Sequence, residues 1–313
     1  MSEKLFYILF FSLIISKLYA QQDPQISHYM YNVLTYNPAY AGQSGQICFN
    51  ALGHQQWKKF EGAPNTNFLT ADMPLNIKGY QFGLGLLFIN DQYGFVRDFR
   101  FYLPLAYRFD MGLSNISIGI APGIYNEKIN GSWKFPDQTE NILNSTAPVT
   151  VFDLSAGIFM EYQNFSFGFS STHINRPLFK FSPSDSSTFG GSIRLVNHFY
   201  LFGSYDWQTP NYLFDIIPSV LFKSDISTTQ FDINLSVLYN KKLWAGVSYR
   251  NKESIVFLIG TSYFRNIKLG LSYDLLLSPI RRVSGGTFEA YIGYCFAIEK
   301  AANIQYFRNV KTL

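Results

Sequence analysis

Apolar residues alternate with small or polar ones from about residue 46 to the end of the chain. A period of two residues is typical of a β-strand with one apolar face. The clearest segment runs from Tyr80 to Phe88, where aromatic and aliphatic side chains at the even positions alternate with Gln81, Gly83, Gly85 and Leu87. Similar segments begin at residues 116, 165, 231 and 267. The pattern predicts more than a dozen strands and no helix in this part of the chain.

The number and length of these strands favour a membrane barrel over a soluble sandwich. Sandwich domains of the immunoglobulin type hold about seven to nine strands, whereas strands of about 9 to 11 residues suit a bilayer crossing. Inside a bilayer only a closed sheet satisfies every backbone N–H and C=O group. We therefore predict an all-β protein, a transmembrane antiparallel β-barrel. A large soluble β-solenoid or propeller is the alternative.

Loop lengths indicate the number of strands. A first count gives fifteen segments, but single-chain outer-membrane barrels have even strand numbers, short periplasmic turns and longer outer loops. The ambiguous segments are residues 187–196 and 199–207, which only Asn197 and His198 separate. If they form one strand and its extension, the barrel has about 14 strands and every long loop, such as 129–148, falls on the outer side.

The amino terminus carries the only continuous apolar stretch. Lys4 precedes an apolar run from Leu5 to Ile15, which is shorter than the roughly 20 residues of a transmembrane helix. A short polar exit ends at the small residue Ala20, as in a secretory signal peptide. We predict cleavage after Ala20 and an integral outer-membrane location. The predicted organisation is a signal peptide (1–20), an N-terminal periplasmic or plug segment (21–45), a barrel (46–298) and a C-terminal tail (299–313).

Composition agrees with an exported barrel. Charged residues make up 15% of the chain, below the average of about 25% for soluble domains, and aromatic residues make up 18%. Strands and membrane-interface girdles favour aromatic residues. The formal net charge is only +4 and no basic block occurs, so we expect no nucleic-acid partner.

Motifs for catalysis or cofactor binding are not found in the sequence. The four histidines, His28, His54, His173 and His198, are scattered, with no i, i+4 pair and no adjacent cysteine or carboxylate cluster at metal-ligand spacing. Glycines such as Gly83 lie inside a predicted strand, where they relieve crowding in the lumen. We predict no enzyme activity, no cofactor, no metal and no small-molecule substrate.

Two cysteines lie near the two ends of the predicted barrel. Cys48 is near the start of the first strand and Cys295 near the end of the last, and these strands must pair to close the sheet. Both residues share the lumen-facing parity at the periplasmic rim. A seam disulfide is one hypothesis and needs Cα atoms closer than about 7 Å. Two small buried thiols are the alternative.

Charged residues also fall on the lumen-facing side of the last strands. They are Arg250, Lys268, Asp274 and Glu289. Ionisable residues at membrane depth are candidates for function. We predict a salt-bridged lumen network, whose alternative role is structural pairing that holds the lumen shut.

Residues 21–45 show no strand alternation and are polar, aromatic and rich in Asn and Pro. Pro38 and Gly42 indicate turns in this segment. We hypothesise that it plugs the barrel at the periplasmic mouth or docks a periplasmic subunit; the alternative is an ordered lead-in that only packs. The candidate plug or partner residues are Gln22, Asp23, Pro24, Tyr29, Asn37, Pro38, Tyr40 and Gly42.

The same segment carries a family resemblance. The run Asn-Pro-Ala-Tyr-Ala-Gly at 37–42, with Gln56-Trp57 and Gly62-Ala63-Pro64, resembles the PorP/SprF proteins of Bacteroidetes type IX secretion and gliding machinery. Further matches are Gln22–Met30, Phe60, Gly83–Gly85, Asn90-Asp91, Gly94, Tyr249-Arg250, Gly270–Asp274 and Gly286–Glu289.

The resemblance implies an integral outer-membrane component that supports the export or surface anchoring of secreted proteins through protein–protein contacts. Its implied partners are outer-membrane lipid and periplasmic type IX secretion subunits, a secreted adhesin or both, and it carries over no catalytic residue. A plugged or narrow transport barrel, of the porin or hydrophobic-solute type, is the alternative function.

Overall fold

The computed structural model describes residues 23–130, 147–181, 191–210, 213–264 and 266–297. The predicted signal peptide, Gln22 and the predicted C-terminal tail lie outside these residues. Within the described ranges, no helix is both long enough and apolar enough to cross a membrane.

Strands account for most of the described chain. In chain order they are β1 Ile47–Gln55, β2 Asn65–Ile77, β3 Tyr80–Tyr93, β4 Val96–Tyr102, β5 Leu105–Asp110, β6 Ser114–Ile129, β7 Val149–Tyr162, β8 Phe165–Thr172, β9 Leu178–Phe181, β10 Gly191–Arg194, β11 His198–Tyr205, β12 Trp207–Gln208, β13 Phe214–Ser224, β14 Thr229–Tyr239, β15 Leu243–Arg250, β16 Ser254–Phe264, β17 Ile267–Leu276 and β18 Thr287–Phe296. Short 3₁₀ helices span Tyr29–Tyr31, Val33–Thr35, Pro38–Tyr40 and Pro279–Arg282.

The strands form a closed antiparallel barrel of 14 strands, as the sequence predicts. Each barrel strand pairs with its neighbours in the chain, and β1 pairs with β18 to close the sheet. Strands β4 and β5 together make one barrel strand, because both pair with β3 and β6 across a break at Leu103-Pro104. Proline lacks the N–H that a continuous ladder needs. Strands β11 and β12 likewise make one barrel strand against β13.

The strand count of about 14 is confirmed, but one detail of the reasoning behind it is wrong. Of the segment 187–196, the described residues 191–196 do not extend the barrel strand that follows. Gly191–Arg194 instead pairs with Leu178–Phe181 in a separate two-stranded sheet. Phe179 and Phe181 pack with Leu195 on Tyr125 of β6, so this hairpin has a small apolar core of its own.

The alternation in the sequence separates the two faces of the barrel wall. Outward side chains are exposed aliphatic and aromatic residues, as a lipid-facing belt requires. Examples are Leu69, Leu86, Ile118, Ile158, Phe167, Leu201, Ile233, Val247, Ile259, Leu271 and Ile292. The intervening inward residues are buried inside the barrel. Many are small, polar or charged, and others are large apolar side chains, such as Leu52, Phe68, Phe159, Trp244 and Tyr291.

The two ends of the barrel differ in the length of their connections. One end has tight turns, such as Lys78-Gly79 and Asn240–Lys242, whose central residues adopt the positive φ angles that two-residue hairpins favour. We call it the short-turn end. The other end carries the connections 56–64 and 277–286 and the β9–β10 hairpin, and we call it the long-loop end. Long loops of outer-membrane barrels face the cell exterior.

The barrel seam lies between β1 and β18. Cys48 is directly opposite Cys295 in the register of this pair. Their Cα atoms are 4.1 Å apart and their sulfur atoms form a disulfide. Because Cys48 is the second residue of β1 and Cys295 the last but one of β18, the bond closes the seam at the short-turn end.

Candidate functional site: the plug in the lumen

The segment Asp23 to Gln46, which we call the plug, runs through the inside of the barrel. It begins at the long-loop end, where Asp23 lies beside His173, the residue that follows β8. It ends at the short-turn end, where it continues into β1. Tyr29, Val33 and Ala39 have no exposed surface. The sequence places this segment at or in the periplasmic mouth; the structure extends it along the whole lumen.

Glycines on the barrel wall allow the plug to approach the strands closely. A Cβ atom on Gly83 would overlap the carbonyl oxygen of Ala41, and one on Gly119 would lie 2.5 Å from the nitrogen of Ala39. Both neighbours are backbone atoms, so neither could rotate away. The crowding that the strand glycines relieve is therefore caused by the plug itself.

Asn37 fixes to the wall the half of the plug nearer the short-turn end, which we call the lower half. Its Nδ2 donates to the carbonyl oxygen of Ile158 at 3.0 Å, while its Oδ1 accepts from the nitrogen of Ala39 at 3.0 Å. The second contact caps the 3₁₀ helix Pro38–Tyr40. The side chain lies against Gly157, where a Cβ atom would collide with it.

Gly42 is held by two wall residues near the short-turn end. Its nitrogen donates to Oδ2 of Asp72 at 2.9 Å, and its carbonyl oxygen accepts from the guanidinium of Arg108 at 2.7 Å. Its φ angle of +68° is one that residues other than glycine rarely adopt. A residue other than glycine would therefore be strained at this predicted turn. Hydrogen bonds to both the N–H and the carbonyl group of Gly42 hold the turn in place.

Aromatic side chains fill the middle of the lumen. Tyr36 of the plug stacks on Tyr200 of β11, with ring centroids 5.4 Å apart, and Tyr31 stacks on Tyr291 of β18 at 5.8 Å. The Tyr29 hydroxyl donates to the carbonyl oxygen of Ser219 at 3.1 Å. Rings bury much apolar area, and the hydroxyl finds a partner, as buried tyrosines usually do.

Nearer the long-loop end, the plug meets a buried ionic network. Arg250 donates from Nε to Asp232 at 2.9 Å and from a terminal nitrogen to Asp274 at 2.8 Å. The Ser27 hydroxyl of the plug also donates to Asp274, at 3.1 Å. The same serine lies 3.3 Å from a second guanidinium nitrogen of Arg250.

Glu289 is the second anchor of the plug. Its carboxylate accepts from the backbone nitrogens of Ser27 and His28 at 2.8 and 2.7 Å. It also lies 2.6 Å from Nδ1 of His28 and 2.7 Å from Nδ1 of His54, which is on β1. One buried carboxylate therefore ties the plug to both strands of the barrel seam.

Three of the four predicted network residues come together in this region. Arg250 contacts Asp274, and Ser27 links Asp274 to Glu289. Lys268 lies elsewhere, because six strand positions, or about 20 Å, separate it from Asp274. Its ammonium group is 5.7 Å from the centre of the Tyr31 ring.

The histidines, which look scattered in the sequence, are paired in the structure. His28 and His54 share Glu289, and His173 and His198 both face Asp23. We call the second group the Asp23 cluster; its carboxylate also accepts from Arg100, Thr172 and Tyr200 at 2.7, 2.9 and 2.8 Å. These partners are 77 to 177 residues from Asp23 in the chain, so no spacing rule could have grouped them.

Between the plug and the wall, cavities of about 70 and 50 Å³ remain. Each has room for only a few water molecules. The larger one borders Tyr29, Leu34 and Pro38 of the plug and Phe68 and Leu87 of the wall. The lumen around these residues is therefore packed much like a protein interior.

A family model described as "Type IX secretion system membrane protein PorP/SprF" matches residues 18–294. The chain belongs to the PorP/SprF family. With the closed barrel, this family membership identifies the protein as an outer-membrane component of type IX secretion. Three wall residues from the motifs that resemble the family lie around Ser27 and His28 of the plug: Arg250, Asp274 and Glu289. In this PorP/SprF chain, these motifs therefore hold the plug.

Two solved structures similar to this PorP/SprF barrel are named as channels. A monoaromatic hydrocarbon channel, the TodX deltaS2 mutant, has a TM-score of 0.52 and 10% identity over 84% of this chain and 93% of its own. The monoaromatic hydrocarbon channel CymD gives 0.52 and 10% over 87% and 93%. At this identity the likeness shows the fold alone. No curated protein has significant sequence similarity to this chain.

The direction of the plug predicts on which side of the membrane Asp23 lies. An epitope inserted between Gln22 and Asp23 should bind antibody on intact cells, because Asp23 lies at the long-loop end. The same epitope added after Leu313 is the matched control and should need a permeabilised outer membrane, since β18 ends at the short-turn end. An inserted epitope that is reached only after permeabilisation would reverse this orientation.

Proposed function

We propose that this protein is a sealed outer-membrane barrel that supports type IX export or surface anchoring of secreted proteins, including adhesins used in gliding. It acts through protein–protein contacts of its loops and rims. The observation that carries this proposal is the plug, whose contacts with the wall run from Asp23 to Gly42. The proposal includes cleavage after Ala20, lipid as the surrounding partner and no catalytic role.

The energetics of the plug argue against a lumen that opens readily. To move the upper half of the plug, which is nearer the long-loop end, Ser27 and His28 must leave Asp274 and Glu289, which are buried carboxylates. Leaving a buried polar group without its hydrogen bond typically costs about 1–3 kcal/mol, and more for a charged group. The lower half is held by Asn37 and Gly42. A barrel of this kind presents its outer surfaces to partners more easily than its interior.

The rival function is a narrow transport barrel for small or hydrophobic solutes. Its support is the fold shared with proteins that are named monoaromatic hydrocarbon channels. A transport role needs a route past the plug, and the gaps beside Tyr29 and Tyr31 are small.

Single-channel recording separates the two functions. The purified full-length protein, reconstituted in planar bilayers, should show no steady conductance. A steady open pore in the unmodified protein would favour transport and contradict the sealed barrel.

Affinity purification tests the partner. A tagged full-length protein, crosslinked in native outer membranes, should enrich periplasmic type IX secretion subunits or a secreted adhesin over a tagged, unrelated outer-membrane barrel. Equal recovery of these proteins by both barrels would contradict the proposed role, whatever the conductance.

A further inference from the structure

We propose that Asp23, His173 and His198 form a binding site for a divalent transition metal of the zinc class at the long-loop end of the lumen. The site is independent of the secretion role. It departs from the expectation that no metal binds, because the three residues are brought together only by the fold.

The donor atoms have the spacing that one metal ion needs. One ligand atom from each of the three residues lies within 4.8 Å of the others. Oδ1 of Asp23 is 3.0 Å from Nε2 of His173, and Oδ2 is 3.8 Å from Nδ1 of His198. Zinc binds imidazole nitrogen and carboxylate oxygen at about 2.0–2.2 Å, so its ligands lie roughly 3–4 Å apart. Two imidazoles, one carboxylate and a water molecule are an established zinc ligand set.

His173 is oriented as metal-binding histidines usually are. Its Nδ1 lies 2.6 Å from Oδ2 of Asp153, a buried carboxylate that also accepts from the Tyr102 hydroxyl at 2.6 Å. A carboxylate on one ring nitrogen fixes the tautomer and directs the other nitrogen to the metal. In His173 that other nitrogen, Nε2, points to Asp23.

His198 supports the metal site by an observation that is independent of the donor spacing. Its side chain is buried, and within the described chain neither ring nitrogen makes a hydrogen bond. A buried polar group without a partner costs about 1–3 kcal/mol. Coordination of a metal by Nδ1 would satisfy this nitrogen at the position it already occupies, facing Asp23.

The surrounding charges allow a dication. Two basic groups contact Asp23. Arg100 donates to its carboxylate, and the Lys223 ammonium donates to its carbonyl oxygen. Three carboxylates, Asp23, Asp98 and Asp153, offset them. With neutral histidines, the positive charges of the dication and the two basic groups exceed those of the three carboxylates by one. The ligands come from the plug, the loop after β8 and the start of β11, so a bound ion would tie the amino-terminal end of the plug to two wall elements.

Zinc binding by the purified full-length protein tests the site. After removal of metal with a chelator and return of zinc chloride, mass spectrometry of the metal content should find about one zinc per chain. Calorimetric titration should show binding at least tenfold weaker in His198→Ala. The control is Asp110→Ala, which removes an exposed carboxylate at the short-turn end and should bind zinc as the unmodified protein does.

Asp153→Asn is the second variant, since it keeps all three ligands. Loss of a carboxylate that orients a ligand should weaken zinc roughly 10- to 100-fold. The heat-dependent gel mobility of each variant shows whether its barrel is folded. The proposal would be overturned if the unmodified protein retained no zinc, or if the His198 and Asp110 variants bound zinc with equal affinity. Asp23 would then hold the plug through its ion pairs and hydrogen bonds alone.

Discussion

Gly83→Val is expected to displace the lower half of the plug and convert a silent barrel into one with steady conductance in planar bilayers. The new side chain would overlap the carbonyl oxygen of Ala41. The wall cannot move to make room, because Gly83 is paired on both sides, with Pro74 of β2 and Ala106 of β5. Neither can the plug shift locally, because Asp72 and Arg108 hold Gly42.

The matched control for this substitution is Gly53→Val. Gly53 is also a strand glycine, but its Cβ atom would lie 3.5 Å from Oδ1 of Asn67, which is ordinary van der Waals contact. This variant should remain silent. Retained heat-dependent gel mobility would show that both barrels are folded. If Gly83→Val is folded and equally silent, the plug does not set the permeability of the lumen.

The second large effect is expected from Arg250→Met. Its side chain is buried, and its loss leaves the carboxylates of Asp232 and Asp274 without their cation. Removing one partner of a buried ion pair costs about 3–5 kcal/mol because the remaining charge stays buried. The free energy of unfolding, measured by guanidinium titration in lipid vesicles, should fall by about that amount.

Two further variants separate charge from packing in this network. Arg281→Met removes an exposed arginine of the 277–286 loop and should change the free energy of unfolding by no more than about 0.5 kcal/mol. The double variant Arg250→Met, Asp274→Asn removes one of the two carboxylates left without a cation. It should therefore recover part of the lost free energy of unfolding. A single variant Arg250→Met as stable as Arg281→Met would show that the network does not stabilise the fold.

The sequence by itself determined the barrel. Alternation with a period of two is a local property, and a bilayer requires every backbone group to be paired, so the pattern led to a closed sheet. The parity of strand number and the lengths of the loops led to fourteen strands. Because first and last strands of a closed sheet must pair, Cys48 and Cys295 could be placed at one seam before their distance was known.

Only the tertiary structure decided what fills the barrel. Residues 23–46 have no period, so their composition could indicate a plug but not its depth or its direction from Asp23 to Gln46. The contacts that hold it join distant parts of the chain: His28 meets Glu289 across 261 positions, and Asp23 meets His173 across 150. Such pairs form because the closed barrel places the lumen-facing residues of every strand around one axis. No local sequence pattern shows which of these residues will meet.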